Sequence, residues 1–209
     1  MATPAHSLTT TEKVKLLLGI TVSTDDALID MMIGWVTDFI ENYCGGRRFK
    51  ETTYTNEEYD QPEGDKVFLR NWPVSSLTSV QYRTGTIASP TFISFDANDY
   101  ILYGNEGFIK FFARFHGILG VAKALRFSFV AGYKIDFANE LSATHTLPFD
   151  LTAVATQLVA NIFNTKDSGG LKSESTEGQS VTYADMSADN LSDAQKQILS
   201  KYTIPRITT

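Results

Sequence analysis

Hydrophobic positions recur at helical spacing from Val14 through Leu17 and Leu18, and again from Leu28 to Tyr43, so the chain opens with two predicted helices. Thr9-Thr10-Thr11-Glu12 reads as a capping box: the Thr9 hydroxyl accepts from the amide three residues on, and Glu12 reaches back to the Thr9 amide. Gly19 supplies the C-terminal stop. The second helix starts at Ser23, with Asp25 and Asp26 in the first turn, where carboxylates favour the positive end of the helix dipole. Leu28, Met32, Trp35, Val36, Phe39 and Tyr43 form one stripe, and Ile29, Ile33 and Ile40 widen it. A helix of about 20 residues is about 30 Å long, and this one ends near Cys44-Gly45-Gly46. An apolar face so wide predicts burial on more than one side and marks the expected spine of the fold.

From Glu51 to Tyr133 the period changes. The runs at 53–55, 67–69, 79–82, 100–103, 108–111 and 125–130 are short and rich in aromatic and β-branched residues. Gly64-Asp65, Asn71-Trp72-Pro73, Gly85, 96–99 and Gly104-Asn105 punctuate them as turns. Sequential short strands predict an antiparallel sheet or a small barrel. A helix returns after Leu147-Pro148-Phe149-Asp150, its apolar face built from Leu151, Val154, Leu158 and Ile162 with Ala155, Val159 and Phe163, and 166–170 ends it. The next run is polar and turn-rich, from Leu171-Lys172-Ser173-Glu174-Ser175 onward, yet it closes on an alternating Ser180-Val181-Thr182-Tyr183. A solvated linker has no need of that ending; an arm that orders against a partner does. Ser192 to Tyr202 is a last short helix with Leu191, Ala194, Ile198 and Leu199 on one side, stopped by Pro205.

The expected class is α+β: a small helical bundle from both chain ends, an inserted antiparallel β lobe and an extended C-terminal arm. Residues 1–50 hold the first bundle helices, 51–146 the lobe, 147–168 the third helix, and 169–209 an arm or hairpin plus a C-terminal helix for assembly.

Composition narrows the function. The chain has 209 residues, 43 % hydrophobic and 20 % charged, which describes an ordinary folded protein. A net charge of −6 argues against a dedicated nucleic-acid binder. Cys44 is the single cysteine, which excludes an internal disulfide and any multi-cysteine zinc site. The N-terminal residues lack the pattern of a signal peptide, and no stretch approaches the ~20 apolar residues of a membrane span. The expectation is a soluble protein made where it acts.

Candidate chemistry is sparse. His6, His116 and His145 stand without a carboxylate or cysteine at ligand spacing, so they read as exposed loop residues rather than ligands. Cys44 reads as a packed thiol. Asp25, Asp26 and Asp30 suggest a carboxylate cluster, but helix-start electrostatics explain the first two and Asp30 falls on the expected polar face. No nucleophile elbow, Walker loop, dinucleotide fingerprint or zincin motif is present. The expectation is therefore a non-enzyme with no catalytic, cofactor or metal site. One local positive excess remains: Lys110, Arg114, Lys123 and Arg126 against Glu106 alone. It reads either as a contact for DNA or an acidic partner, or as a basic loop that offsets the acidic stretch 51–65.

In order and spacing, several blocks resemble the head–tail connector (head-completion adaptor) family of tailed bacteriophages. They are Leu8-Thr9, 14–20, 25–29, 40–45 with Arg47, Arg48 and Phe49, the run 68–80 around Leu69-Arg70 and Pro73-Val74, 129–133, 147–151, the arm 171–183, and Leu199, Tyr202 and Pro205. The chain departs from the family pattern in a long 84–123 segment and in Gln179, where an aromatic is common. The resemblance implies a structural virion protein that forms a ring, usually twelvefold, beneath the portal. It implies partners in other copies of itself, the portal protein, and the next head-completion or tail protein, with packaged DNA passing through the channel without specific readout and with no membrane. It places the protein at the head–tail junction of the virion, assembled in the host bacterial cytoplasm. Leu171, Lys172, Ser173, Glu174, Ser175, Val181, Tyr183, Leu191, Ile198, Leu199 and Tyr202 become the candidate assembly interface, the terminal helix docking into a portal groove. A net acidic chain suits a channel in which DNA must slide. The alternatives are a tail-completion or tail-terminator protein, or a DNA-packaging accessory factor that binds nucleic acid.

Overall fold

The computed structural model describes residues 6–62, 64–86, 88–112, 122–165, 173–176, 179–182 and 191–203. Among these lie four helices, α1 (Thr11–Leu18), α2 (Asp26–Tyr43), α3 (Phe149–Thr165) and α4 (Asp193–Ser200). Nine strands accompany them: β1 (Thr52–Tyr59), β2 (Lys66–Phe68), β3 (Val74–Gly85), β4 (Pro90–Ser94), β5 (Tyr100–Tyr103), β6 (Phe108–Phe111), β7 (Leu125–Ala131), β8 (Ser173–Thr176) and β9 (Gln179–Thr182). The chain divides into a helical unit, Met1–Arg47 with Ile135–Thr209, and an inserted unit, Arg48–Lys134. The segment 135–146, grouped with the β lobe on sequence, thus falls with the helices.

In the helical unit, α3 packs against α1, α2 and α4, so the third helix shares the role of spine expected of α2 alone. Leu151, Val154, Ala155, Val159 and Phe163 face inward from α3, and Ile29, Met32, Ile33, Val36 and Ile40 from α2. The isoleucines are the centre of the α2 stripe; Leu28, Phe39 and Tyr43 flank it, and Trp35 is 48 % exposed. Two helix starts differ from expectation. Thr10, not Thr9, caps α1, accepting from the Lys13 amide at 3.4 Å. Thr9 is buried instead, and its hydroxyl shares a 2.6 Å hydrogen bond with that of Thr156. The helix α2 begins at Asp26, with no side-chain cap at Asp25.

Asp30 is a further correction. It is buried rather than on a polar face, and it accepts a hydrogen bond from the Thr11 hydroxyl. Buried carboxylates persist only when donors replace the water they lose. Together with Thr37, which accepts from the Leu8 amide at 3.3 Å, these threonines tie the N-terminal segment, α1, α2 and α3 into one polar seam inside an apolar bundle.

Among its described residues the inserted unit contains two open antiparallel sheets, ordered β1-β7-β3-β4 and β2-β6-β5, and no closed barrel. Strand β7 alternates cleanly, with Leu125, Phe127, Phe129 and Ala131 inward, as a half-buried strand must. Val67, Ile109 and Phe111 from the second sheet join the same core. Phe95 and Tyr100 pack tilted against the Phe111 ring at separations of 5.0 and 6.0 Å. Gly132 has φ +112, and a Cβ there would lie 2.6 Å from the Lys50 carbonyl oxygen, so glycine is required where the chain leaves β7.

Candidate assembly surfaces

The arm has regular backbone structure. Strands β8 and β9 pair antiparallel in the register Ser173↔Thr182, Glu174↔Val181, Ser175↔Ser180 and Thr176↔Gln179. Of the predicted arm residues, Ser173, Glu174, Ser175 and Val181 therefore lie in one hairpin, while Leu171, Lys172 and Tyr183 fall outside the described residues. The hairpin is a sheet of its own, with no third strand on either edge among the described residues. An isolated two-stranded hairpin is marginal in water. A hairpin edge that no strand covers presents backbone donors and acceptors, which are a template for another strand.

The terminal helix α4 uses its apolar face within its own subunit. Ser192 and Gln195 form a capping box that fixes its start. Leu191 is 4 % exposed and Leu199 fully buried, Ile198 and Tyr202 are half-buried, and Gln195 occupies the inward position expected for Ala194. Polar anchors complete the seat. The Tyr202 hydroxyl donates to Asp150 Oδ1 at 2.6 Å, and Lys201 Nζ stands 3.4 Å from the same carboxylate. The Cys44 thiol donates to the Leu199 carbonyl, and Arg47 to that of Tyr202 at 3.3 Å. Leu191 and Leu199 are thus core residues of the bundle, and the outward face of α4 is the polar one, with Asp193, Gln197, Ser200 and Lys201. Burial pushes the Cys44 thiol up to about 12; nearby Arg47 opposes the shift and Glu41 adds to it. A thiol held protonated in this way is packing, not a nucleophile.

Exposed apolar side chains mark other faces of the helical unit. Leu16 is 85 % exposed, Leu17 55 % and Phe149 59 %. Leu17 and Phe149 edge an open groove of about 300 Å³ between α1 and α3, with Lys13, Thr152, Ala153, Thr156 and Gln157. On α2, Met31 and Trp35 stand four residues apart on one exposed face. Sequence periodicity placed Trp35 in the core; the isoleucines displaced it.

Three residues of the basic cluster pair with two carboxylates. Lys110 pairs with Asp65 at 3.7 Å, and Lys123 and Arg126 meet Glu58 at 3.4 and 2.9 Å. The Arg126 guanidinium also covers the Phe92 ring at 3.3 Å, while Arg114 lies outside the described residues. The Arg126 hydrogen bond, against a modest burial cost and with help from Lys123, holds the Glu58 carboxyl below its ordinary range. No helix among the described residues is long and apolar enough to cross a membrane.

Residues 7–204 match the head completion protein (HCP) family. No curated protein matches the chain. Among solved structures, a chain in the neck of an empty GTA particle computed with C6 symmetry superposes with a TM-score of 0.55 at 16 % identity, covering 99 % of this chain and 94 % of that one. A chain in the virion of a native gene transfer agent (GTA) particle gives 0.52 at the same identity and coverage. At that identity the likeness shows the fold.

Proposed function

Because the chain belongs to the head completion protein family, we propose that it is a non-enzymatic structural subunit of a ring at the head–tail junction. The ring sits beneath the portal, extends the DNA channel and presents a surface to the next head-completion or tail protein. The observation that carries this reading is the β8–β9 hairpin, regular in its pairing yet with no third strand on either edge among the described residues. A ring requires heterologous contacts, in which one surface meets a different one on the neighbour. Strand addition across a subunit boundary supplies such a contact through the backbone. The neck of the fold relative was computed with C6 symmetry, and sixfold symmetry accommodates a ring of twelve copies as well as six. Assembly in the host cytoplasm and residence in the virion follow from that place.

The seating of α4 decides how to test this. Truncation before Ser187 removes Leu191 and Leu199 from the core and so damages the fold as well as any docking. Replacing residues 173–182 with a flexible Gly-Ser linker leaves α4 in place. The expected product is a folded monomer with an unchanged melting profile that no longer enters DNA-filled heads. Incorporation at the parental level would remove the hairpin from the interface.

A further inference from the structure

His6 was set aside on sequence because no carboxylate stands near it along the chain. The fold supplies two. We propose that His6, Asp38 and Glu41 form a binding site for a zinc-class divalent cation that clips the N-terminal segment onto α2.

The placement of each donor has a local cause. Asp38 and Glu41 are three residues apart on α2 and so share a face. His6 is brought to that face by the buried segment that follows it: Ser7, Leu8 and Thr9 are all sequestered, and the Leu8 amide donates to Thr37 on the same helix. One ligand atom from each of His6, Asp38 and Glu41 lies within 4.8 Å of the others. His6 Nε2 and Asp38 Oδ1 are 3.4 Å apart. Zinc bonds of about 2.0–2.2 Å at tetrahedral angles set neighbouring ligand atoms about 3.4 Å apart. That pair already stands at ligand spacing, and the third donor needs to close by up to about 1.4 Å.

The electrostatics favour an occupant. His6 Nε2 is inaccessible to water and has no hydrogen-bond partner, while carboxylate oxygens of Asp38 and Glu41 stand within 4.8 Å. A cation shared with the two carboxylates would satisfy such a nitrogen. The donor set selects the class. One imidazole nitrogen with two carboxylate oxygens suits zinc or a similar transition ion, whereas calcium takes six to eight oxygens. Glu41 is buried, but the Asp38 side chain is 59 % exposed, which provides an entry and leaves a position for water.

The test uses the full chain stripped with a chelator and titrated with zinc chloride in a calorimeter, with thermal unfolding in parallel. One equivalent should bind and raise the melting midpoint. His6→Ala and Asp38→Asn should each weaken binding at least about tenfold. Both side chains are partly exposed, so the variants are expected to fold; Glu41→Gln, at a buried position, is not needed. Absence of stoichiometric binding, or parental affinity in His6→Ala, would overturn the proposal. So would calcium binding as tightly as zinc. A pH-dependent stability that His6→Ala abolishes without any zinc response would mark a plain ion pair and also overturn it.

Discussion

Thr11 and Asp30 join α1 to α2 through a buried hydrogen bond, and a bond of this kind is costly to lose on one side only. Thr11→Val keeps the shape but removes the donor from a carboxylate that is 8 % exposed. The expected loss is about 1–3 kcal/mol in urea unfolding, with Thr11→Ser recovering much of it. Glu58 offers a test with a sign. Its folded-state carboxyl sits below its ordinary value of 4.5, held there first by the Arg126 hydrogen bond. The stability it contributes is therefore present above that value and is lost as pH falls through the depressed folded value. Glu58→Gln should lower the urea midpoint at neutral pH, and the gap to the parent should shrink in strong acid; a gap independent of pH would contradict the pairing. Residues of this kind were the least legible in the sequence. Thr9, Thr10 and Thr11 all qualify as caps, and what separates them is a partner far away in the chain, Thr156 for one and Asp30 for another. The carboxylates near His6, Asp38 and Glu41, were out of sight for the same reason, since α2 lies far from it in sequence.

At the scale of elements, the strands of the inserted unit were readable because they alternate or carry aromatic pairs, as in β7 and β6. Strand β4 was not. It begins on Pro90, and it is an edge strand with four of its five residues exposed, so no buried face imposed a pattern. The helix α4 was found, but its direction of use was not: a short amphipathic helix reads the same whether its apolar face meets its own bundle or a partner. Its Cys44, Arg47, Asp150 and Gln157 contacts settle the matter for this chain. Leu199→Ala should cost about 2–5 kcal/mol as a core truncation, measured by denaturant unfolding of the free subunit. Assembly should fail only in proportion to that loss. A folded, fully stable Leu199→Ala subunit that cannot join heads would return α4 to the interface.

For the whole molecule, a helical unit interrupted by an all-β unit places both ends of the chain in the same bundle, and the order and spacing of sequence blocks carried the family likeness that the match over residues 7–204 establishes. Surfaces were less legible than the fold, since polar hairpin edges and single exposed residues such as Leu16 or Trp35 leave no periodic trace. A surface-built function is tested where the surfaces act. Particles should be produced from a genome in which this gene carries an early nonsense codon, then imaged by electron microscopy with a DNA-retention assay. A subunit of the head–tail joint leaves packaged heads that leak DNA and carry no tails, beside complete free tails. Tailed particles that retain DNA would contradict that role, and empty, unpackaged heads would move the protein to DNA packaging.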